Sequence, residues 1–140
     1  MLSEAIVVAF KKNNVALPEH VIAFAAFKLF QKKHHTSDLY SVLRMAEEFR
    51  ELTREELKQA VASIVKELSK LEHKEEIRVD PIVAAEDLDL LIDYAIKKLG
   101  VYHQKRPLLK TRKGTIKCQD MKLLLFYHNR LEGYGLETHV

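Results

Sequence analysis

The sequence predicts a mostly α-helical, compact domain with one small β-hairpin, so that any α+β character is minor. From Val21 to Phe30 every residue except Lys28 is apolar, and a helix over this segment must be buried on nearly all sides. Residues 53–71 place apolar side chains three and four positions apart, as an amphipathic helix does. Residues 108–119 have the pattern of two short strands around a glycine-containing turn.

Length and composition predict a single domain over residues 1–140. The chain is 47% hydrophobic with only 4 Gly and 3 Pro, enough to bury a sizeable core. Its 23 basic and 20 acidic residues leave a net charge of +3, which requires no strongly polyanionic partner. Cys118 is the single cysteine, so an internal disulfide and a cysteine-rich metal site are excluded. A lone thiol suits a reducing compartment, and no cofactor is predicted.

The first segment predicts a helix from Ser3 to Lys12 with Ser3 as N-cap, although the run IVVAF also suits a short strand. Its positive charges follow the apolar run, unlike those of a secretory leader. The next helix opens at Pro18, where a missing N–H costs nothing, and its apolar part is shorter than the roughly 20 residues that span a bilayer. We expect a cytoplasmic location, with peripheral contact at the inner membrane face as a further option.

Basic residues follow the central helix and complement its dipole: Lys32, Lys33, His34 and His35. Adjacent histidines point to different faces of a helix, so no metal site is predicted there. The segment DLYSVLRM predicts a short helix with Leu39, Val42 and Leu43 buried. Thr53 and Glu56 then form a capping box, with Leu52 and Leu57 as a possible hydrophobic staple, at the start of a helix that runs to about Leu71.

The pattern changes between Glu75 and Pro81, where alternating apolar and charged residues predict a short extended segment or loop. A further helix is expected to begin at Ala84 or Ala85 and to close at Gly100. Its predicted core face is Leu88, Leu91, Ile92, Ala95 and Leu99. Acidic residues cluster in and after its first turn, and we expect a solvated surface rather than a catalytic carboxylate pair: Glu86, Asp87, Asp89 and Asp93.

Basic side chains surround the predicted hairpin and form the candidate anion or membrane contact: Lys105, Arg106, Lys110, Arg112, Lys113 and Lys117. No acid interrupts this set. We place Lys110, Arg112, Lys113 and Lys117 at the hairpin tip, which could touch phosphate of nucleic acid or of lipid headgroups. A solubilising turn is the simpler alternative.

The final predicted helix, MKLLLFYHNRLEGYGLE, is capped by Asp120 and contains an apolar run from Leu123 to Tyr127. Such a run must be covered by the core or by a partner. Neither His128 nor Cys118 has an activating group at a suitable spacing, so no catalytic residue is predicted.

The order of the segments resembles the C-terminal region of glycerol-3-phosphate acyltransferases over nearly the whole chain. The segments that support it are LPEHV, DLYSVLR, the long amphipathic helix, LDLLIDYAIKKLG and LLLFYHNRLEGYGLE. Those enzymes look similar in a Pro-Thr-His helix opening and in a late aromatic-x-Asn segment. The matching family-motif positions here are Pro18 and His20, followed by Tyr127, His128 and Asn129.

The catalytic motifs of that family are not present in this chain. They comprise a histidine and an aspartate separated by four residues, and a Pro-Glu-Gly segment that binds glycerol phosphate. None of the seven histidines has an aspartate five positions later, and Pro18-Glu19 is not followed by glycine. Gly133 also stands near where relatives often have histidine. The resemblance therefore implies a non-catalytic accessory module of a membrane-associated acyltransferase of phospholipid biosynthesis, whose partner is the catalytic domain in the same or a separate chain.

Two alternatives remain from the residues alone. A short helix, a long helix and a basic hairpin could form a winged-helix-like nucleic-acid module, and a helical protein-interaction module is the other option. The long helix carries Glu55, Glu56 and Glu67 beside its lysines, and these acids would repel phosphate. Nucleic acid is therefore the less favoured partner, behind a catalytic domain and an anionic membrane surface.

Overall fold

The computed structural model of the chain describes residues 14–34, 38–85, 87–101 and 104–140. The predicted first helix, Ser3 to Lys12, lies outside the described residues. Within them the fold is mostly helical with a minor β component, as predicted. The helices are α1 (Pro18–Lys33), α2 (Leu39–Leu43), α3 (Arg54–His73), α4 (Pro81–Ala84), α5 (Leu88–Gly100) and α6 (Met121–His128). The strands are β1 (Val15–Ala16), β2 (Glu51–Leu52), β3 (Arg78–Val79), β4 (Leu109–Lys110) and β5 (Ile116–Lys117), and 3₁₀ turns cover Glu47–Phe49, Asn129–Leu131 and Leu136–His139.

Helix α1 occupies the centre of the fold. Every side chain from Val21 to Phe27 is buried, as is that of Phe30. The helix packs against α3, α5 and α6, which explains why it needs apolar residues on almost every face. Pro18 stands in its first turn, where it removes no intrahelical hydrogen bond. The predicted central helix is confirmed.

Helix α3 begins with the predicted capping box. The hydroxyl of Thr53 accepts from the N–H of Glu56 at 3.1 Å, and the Glu56 carboxylate accepts from the N–H of Thr53 at the same distance. Leu52 and Leu57 are both buried, as a hydrophobic staple requires. The helix extends two residues beyond the predicted end, and its predicted apolar face is buried: Leu57, Val61, Ile64, Val65, Leu68 and Leu71.

Replacement of Thr53 by alanine should destabilise the protein by about 1 kcal/mol, because the N–H of Glu56 loses the hydroxyl that accepts its hydrogen bond. Urea denaturation followed by circular dichroism measures this loss. Ser63→Ala is the matched control, since Ser63 is an exposed hydroxyl residue within α3 and caps nothing. Equal midpoints for the two variants would show that the capping box contributes no net stability.

A three-stranded antiparallel sheet contains the predicted hairpin. Strands β4 and β5 pair as expected, and Gly114 in their turn has a φ of 83°, which suits glycine. Strand β2 adds to the other edge of β5, with Glu51 opposite Lys117, so the strand order is β2-β5-β4. Strand β3 confirms the predicted extended segment and pairs in parallel with β1, which brings Val15 beside Arg78.

The predicted start of the helix before Gly100 is wrong. Two aspartates divide the segment: Asp80 accepts from the N–H of Ile82 at 2.9 Å and caps α4, and Asp87 accepts from the N–H of Leu90 at 3.2 Å and caps α5. Each cap opens its own helix, so Asp87 precedes α5 instead of lying within its first turn. The predicted core face is buried except for Leu88, which is partly exposed, and Ile96 joins it.

Two further expectations differ from the structure. Leu39 is 42% exposed although we predicted it to be buried, because α2 ends after five residues and buries only Val42 fully. The last helix ends at His128 and not near Glu137. Gly133 and Gly135 beyond it have φ values of 91° and 74°, which an α-helix does not accommodate.

Candidate functional site

The two segments that support the family resemblance meet between α1 and α6. The ring of His128 in α6 stacks on Phe24 of α1, with centroids 5.1 Å apart and planes 10° apart, and lies 4.7 Å from Phe27. One turn earlier in α1, His20 lies 6.3 Å from Tyr127. We call these five residues the α1–α6 cluster. Pro18 is buried at the start of the same helix.

His128 is 3% exposed and lies among polar groups at the end of the cluster. Its Nδ1 lies 3.1 Å from Oδ1 of Asn129, and its Nε2 lies 2.6 Å from Oε1 of Glu132. The second contact is close but misaligned for a hydrogen bond, so it acts chiefly through charge. The same Glu132 oxygen lies 2.6 Å from Nζ of Lys28, and this shared carboxylate connects α1 to the chain after α6.

The protonation state of His128 follows from these neighbours. Burial is the largest cause that lowers its pKa, and the Lys28 ammonium lowers it further, while Glu132 acts in the opposite direction. Because the Glu132 carboxylate is also paired with Lys28, it does not raise the pKa of His128 enough to offset the effect of burial. The imidazole is therefore neutral near pH 7.

His20 is the second buried imidazole. It is 7% exposed, and burial, followed by the charge of Arg130, lowers its pKa to about 4. Its Nδ1 is buried without a hydrogen-bond partner within the described part of the chain. A backbone hydrogen bond with Val15 opposes the shift and is the smallest of these causes. His20 is thus a neutral core residue at pH 7.

The chemistry available to these groups is limited by burial. His128 and Glu132 are a base and a carboxylate in contact, but the imidazole is 3% exposed and packed against Phe24 and Phe27, so a substrate cannot reach it. Cys118 is fully buried, and burial raises the pKa of its thiol to about 12, so it is held as an unreactive thiol. The imidazoles of His20 and His128 are therefore parts of the core.

The predicted acidic surface is partly exposed, and two of its aspartates take part in an ion-pair network. Arg54 of α3 contacts Asp89 and Asp93 of α5, each at 3.1 Å. Lys58 contacts Asp89 at 3.0 Å, and Lys110 of β4 contacts Asp93 at 2.8 Å. These cations lower the pKa values of both aspartates. The acids thus connect α3, α5 and the sheet, while Glu86 lies outside the described residues.

The basic residues of the hairpin do not form one free surface. Lys110 is a strand residue paired with Asp93, so its placement at the tip is wrong. Lys117 is also in a strand, opposite Glu51. Arg112 and Lys113 form the exposed tip.

Lys105 and Arg106 are exposed before β4, where the backbone of Arg106 is held by Gln119. The six predicted contacts therefore divide into a two-residue tip, the exposed pair before β4 and two strand residues.

Sequence reasoning missed three exposed aromatic side chains: Tyr40 (69% exposed), Phe49 (62%) and Phe126 (67%). Phe126 belongs to the run expected to be covered, and the N-cap at Asp120 is the signal that could have placed it. A helix that begins there turns Met121, Leu124 and His128 inwards, which directs Phe126 to the opposite side.

Two open surface depressions lie away from the α1–α6 cluster. One has a volume of about 410 Å³ and borders Phe49, Thr53 and Thr115, and the other, of about 590 Å³, borders Leu29, Gln59 and Val140. Across the described ranges, no three potential ligand side chains gather as a metal site would require. None of the described helices has both the length and the apolar character needed to cross a membrane.

Comparison of the chain with known proteins gave no significant match among family models, characterised proteins or solved structures.

Proposed function

We propose that this chain is the non-catalytic C-terminal module of a membrane-associated glycerol-3-phosphate acyltransferase of phospholipid biosynthesis. The observation that supports the proposal is the α1–α6 cluster. Pro18 and His20 lie near the start of the described chain, whereas Tyr127, His128 and Asn129 lie near its end, yet α1 and α6 bring the two groups together. Segments that resemble one family and also pack together in space are what a shared structural role would produce.

The module would act by packing against an acyltransferase catalytic domain, in the same or a separate chain. The imidazoles of His20 and His128 are buried and neutral, so the contribution of this pair is structural. We place the module at the periphery of the cytoplasmic membrane face. Exposed apolar side chains on the outer side of α5 offer a surface for this packing, since Leu90 is 52% exposed and Val101 is 56% exposed.

The experiment that tests this role is isolation of the tagged chain from the cells that produce it, followed by assay of the eluate. We expect glycerol-3-phosphate-dependent consumption of acyl-CoA, together with a histidine-x4-aspartate domain in the same polypeptide or in a co-purifying one. Leu90→Asp is the interface variant, and Phe49→Asp is its matched control at an exposed apolar position elsewhere. An eluate without such a domain would contradict the proposal.

The purified 140-residue chain should not transfer acyl groups by itself. It offers no accessible base beside a carboxylate, because His128 is stacked under Phe24 and Phe27. A spectrophotometric thiol-release assay with acyl-CoA and glycerol 3-phosphate measures this. Turnover above the no-protein control that His128→Ala abolishes would show that the site is catalytic after all.

A winged-helix-like nucleic-acid module is the second candidate, and the strand order favours it. In the β2-β5-β4 sheet, α3 follows β2 directly and α5 precedes the β4–β5 hairpin, so the hairpin stands where a wing would stand. The charges argue against it. The exposed start of α5 carries Asp87, and the cations in contact with that end of the helix, Arg54 and Lys58, are already paired with Asp89. That end of the helix therefore offers phosphate no free cation among these residues.

Binding to duplex DNA and RNA should therefore be weak and not specific to the hairpin. Fluorescence anisotropy of labelled duplexes at about 0.05–0.2 M salt measures affinity and its salt slope. We expect Arg112→Glu/Lys113→Glu to change the affinity no more than the control Lys66→Glu/Lys70→Glu, which alters two exposed lysines of α3. A salt slope reduced by about 2 in the hairpin variant alone would favour the nucleic-acid function.

A further inference from the structure

The outer face of α6, continued by the 3₁₀ turn Asn129–Leu131, combines one exposed aromatic ring with a cation four residues to each side. Lys122, Phe126 and Arg130 follow at four-residue steps, and all three are exposed. The core face of the helix, formed by Met121, Leu124 and His128, lies on the other side. Phe126 is 67% exposed, which is unusual for a side chain that could have been covered by the core.

Helix α2 packs against α6 and shows the same combination. Tyr40 is 69% exposed, and the guanidinium of Arg44 lies 5.3 Å from the centre of its ring. Two neighbouring helices thus each expose an aromatic side chain together with a cation. We call these five residues the basic–aromatic face: Tyr40, Arg44, Lys122, Phe126 and Arg130.

The acids near this face leave it positively charged. Asp38 is engaged at the start of α2, where it accepts from the N–H of Tyr40 and from the Ser41 hydroxyl. Glu132 is paired with Lys28 at 2.6 Å, which neutralises its charge. Glu19 lies close enough to Tyr127 to raise the pKa of that phenol after burial, which is the larger cause. Three cations of this face, Arg44, Lys122 and Arg130, are therefore opposed to two carboxylates, Asp38 and Glu19, and its net charge stays positive.

We infer that the basic–aromatic face binds the surface of an anionic lipid bilayer. Aromatic rings enter the boundary between headgroups and acyl chains, while cations beside them contact anionic headgroups. The cations stand at both ends of the aromatic side chain in α6 and above the ring in α2, so no wide apolar area remains for a protein partner. This inference rests on the membrane-associated part of the proposed function and gives it a location in the fold.

The location differs from the hairpin that the sequence favoured. Lys110 is paired with Asp93, so the hairpin tip keeps two exposed cations, Arg112 and Lys113. The exposed ring of Phe49 borders the same surface depression as Thr115, which lies at the end of that turn, so Phe49 also tests the hairpin side of the molecule.

Co-sedimentation with vesicles of phosphatidylcholine, with and without phosphatidylserine, tests the inference on the native 140-residue chain at about 0.1 M salt. We expect binding to the anionic vesicles alone. Phe126→Ala should weaken it about tenfold or more, as loss of a buried phenylalanine does. Phe49→Ala is the matched control, since Phe49 has a similar exposure of 62% but lies in the 3₁₀ turn Glu47–Phe49.

A second comparison tests the contribution of charge. The double variant Lys122→Gln/Arg130→Gln is compared with the control Lys66→Gln/Lys97→Gln, which alters two exposed lysines of α3 and α5. The first pair should weaken binding about tenfold or more and the second pair far less, although both remove two charges. Near-equal melting temperatures of all variants confirm that folding is intact.

Several outcomes would overturn the inference: no sedimentation with anionic vesicles, equal binding to neutral vesicles, or equal effects of Phe126→Ala and Phe49→Ala. Loss of self-association in Phe126→Ala, seen by light scattering without a change in vesicle binding, would identify a protein interface instead. The vesicle assay uses the chain alone, so a negative result would not contradict the proposed packing against a catalytic domain. The co-purification experiment tests that packing separately.

Discussion

Phe27→Ala should lower the free energy of unfolding by about 3–5 kcal/mol, and Phe24→Ala should do the same. Both rings are fully buried in α1, and each contacts the imidazole of His128 across the α1–α6 cluster. Truncation removes apolar contacts and leaves a cavity between α1 and α6. The cavity persists because the two packed helices cannot move together to fill it. A loss of this size is a large part of the total stability of an ordinary domain.

Urea denaturation monitored by circular dichroism measures this loss, with midpoint and slope fitted together. Phe126→Ala is the matched control because the same substitution at an exposed position of α6 should cost little. Losses under about 1 kcal/mol for both Phe24→Ala and Phe27→Ala would mean that α1 is not the centre of the core.

Acid should destabilise the protein through His20. Its folded pKa is lowered to about 4 by burial and by Arg130, whereas the unfolded chain protonates near 6.5. The unfolded state therefore binds more protons below pH 6.5, and stability that is fully present above that pH is lost as the pH falls towards 4. Each pH unit in this window costs about 1.4 kcal/mol, for a total on the order of 3 kcal/mol.

His20→Leu should remove most of this dependence while it keeps stability near pH 7.5, because leucine has no proton to bind and leaves no unpaired Nδ1. Unfolding free energies at half-unit steps from pH 7.5 to 4 give the two slopes. His34→Gln is the control, since His34 is exposed at the end of α1.

Five other groups also have lowered pKa values: His128, Glu56, Glu132, Asp89 and Asp93. They too lower stability as the pH falls, both in the native protein and in His20→Leu. An identical slope in His20→Leu and in the native protein would therefore assign the acid effect to those groups.

Local signals in the sequence were sufficient to predict several elements of the fold. The unbroken apolar run from Val21 to Phe30 required burial, and the reciprocal side-chain bonds of Thr53 and Glu56 are made within one turn. The hairpin also depends on residues close in sequence, with Gly114 at the position that needs a positive φ. In each case the partners lie within a few residues of one another.

The candidate site was predicted only in part. The family-motif positions Pro18, His20, Tyr127, His128 and Asn129 were identified from a resemblance, but neither periodicity nor spacing showed that they would meet. Their association depends on α1 and α6 packing together across most of the described chain. Glu132 was not among the candidates, because its partner Lys28 is distant in sequence.

The sequence by itself therefore determined the helical class, the central helix, the long amphipathic helix and the hairpin, since periodicity, caps and turn residues act over short distances. Only the tertiary structure decided that β2 joins the hairpin, that β1 pairs with β3, and that Asp93 takes Lys110 away from the basic tip. It also decided that Phe126 stays in solvent. These outcomes depend on which segments become neighbours, and that is set by the packing of the whole core around α1.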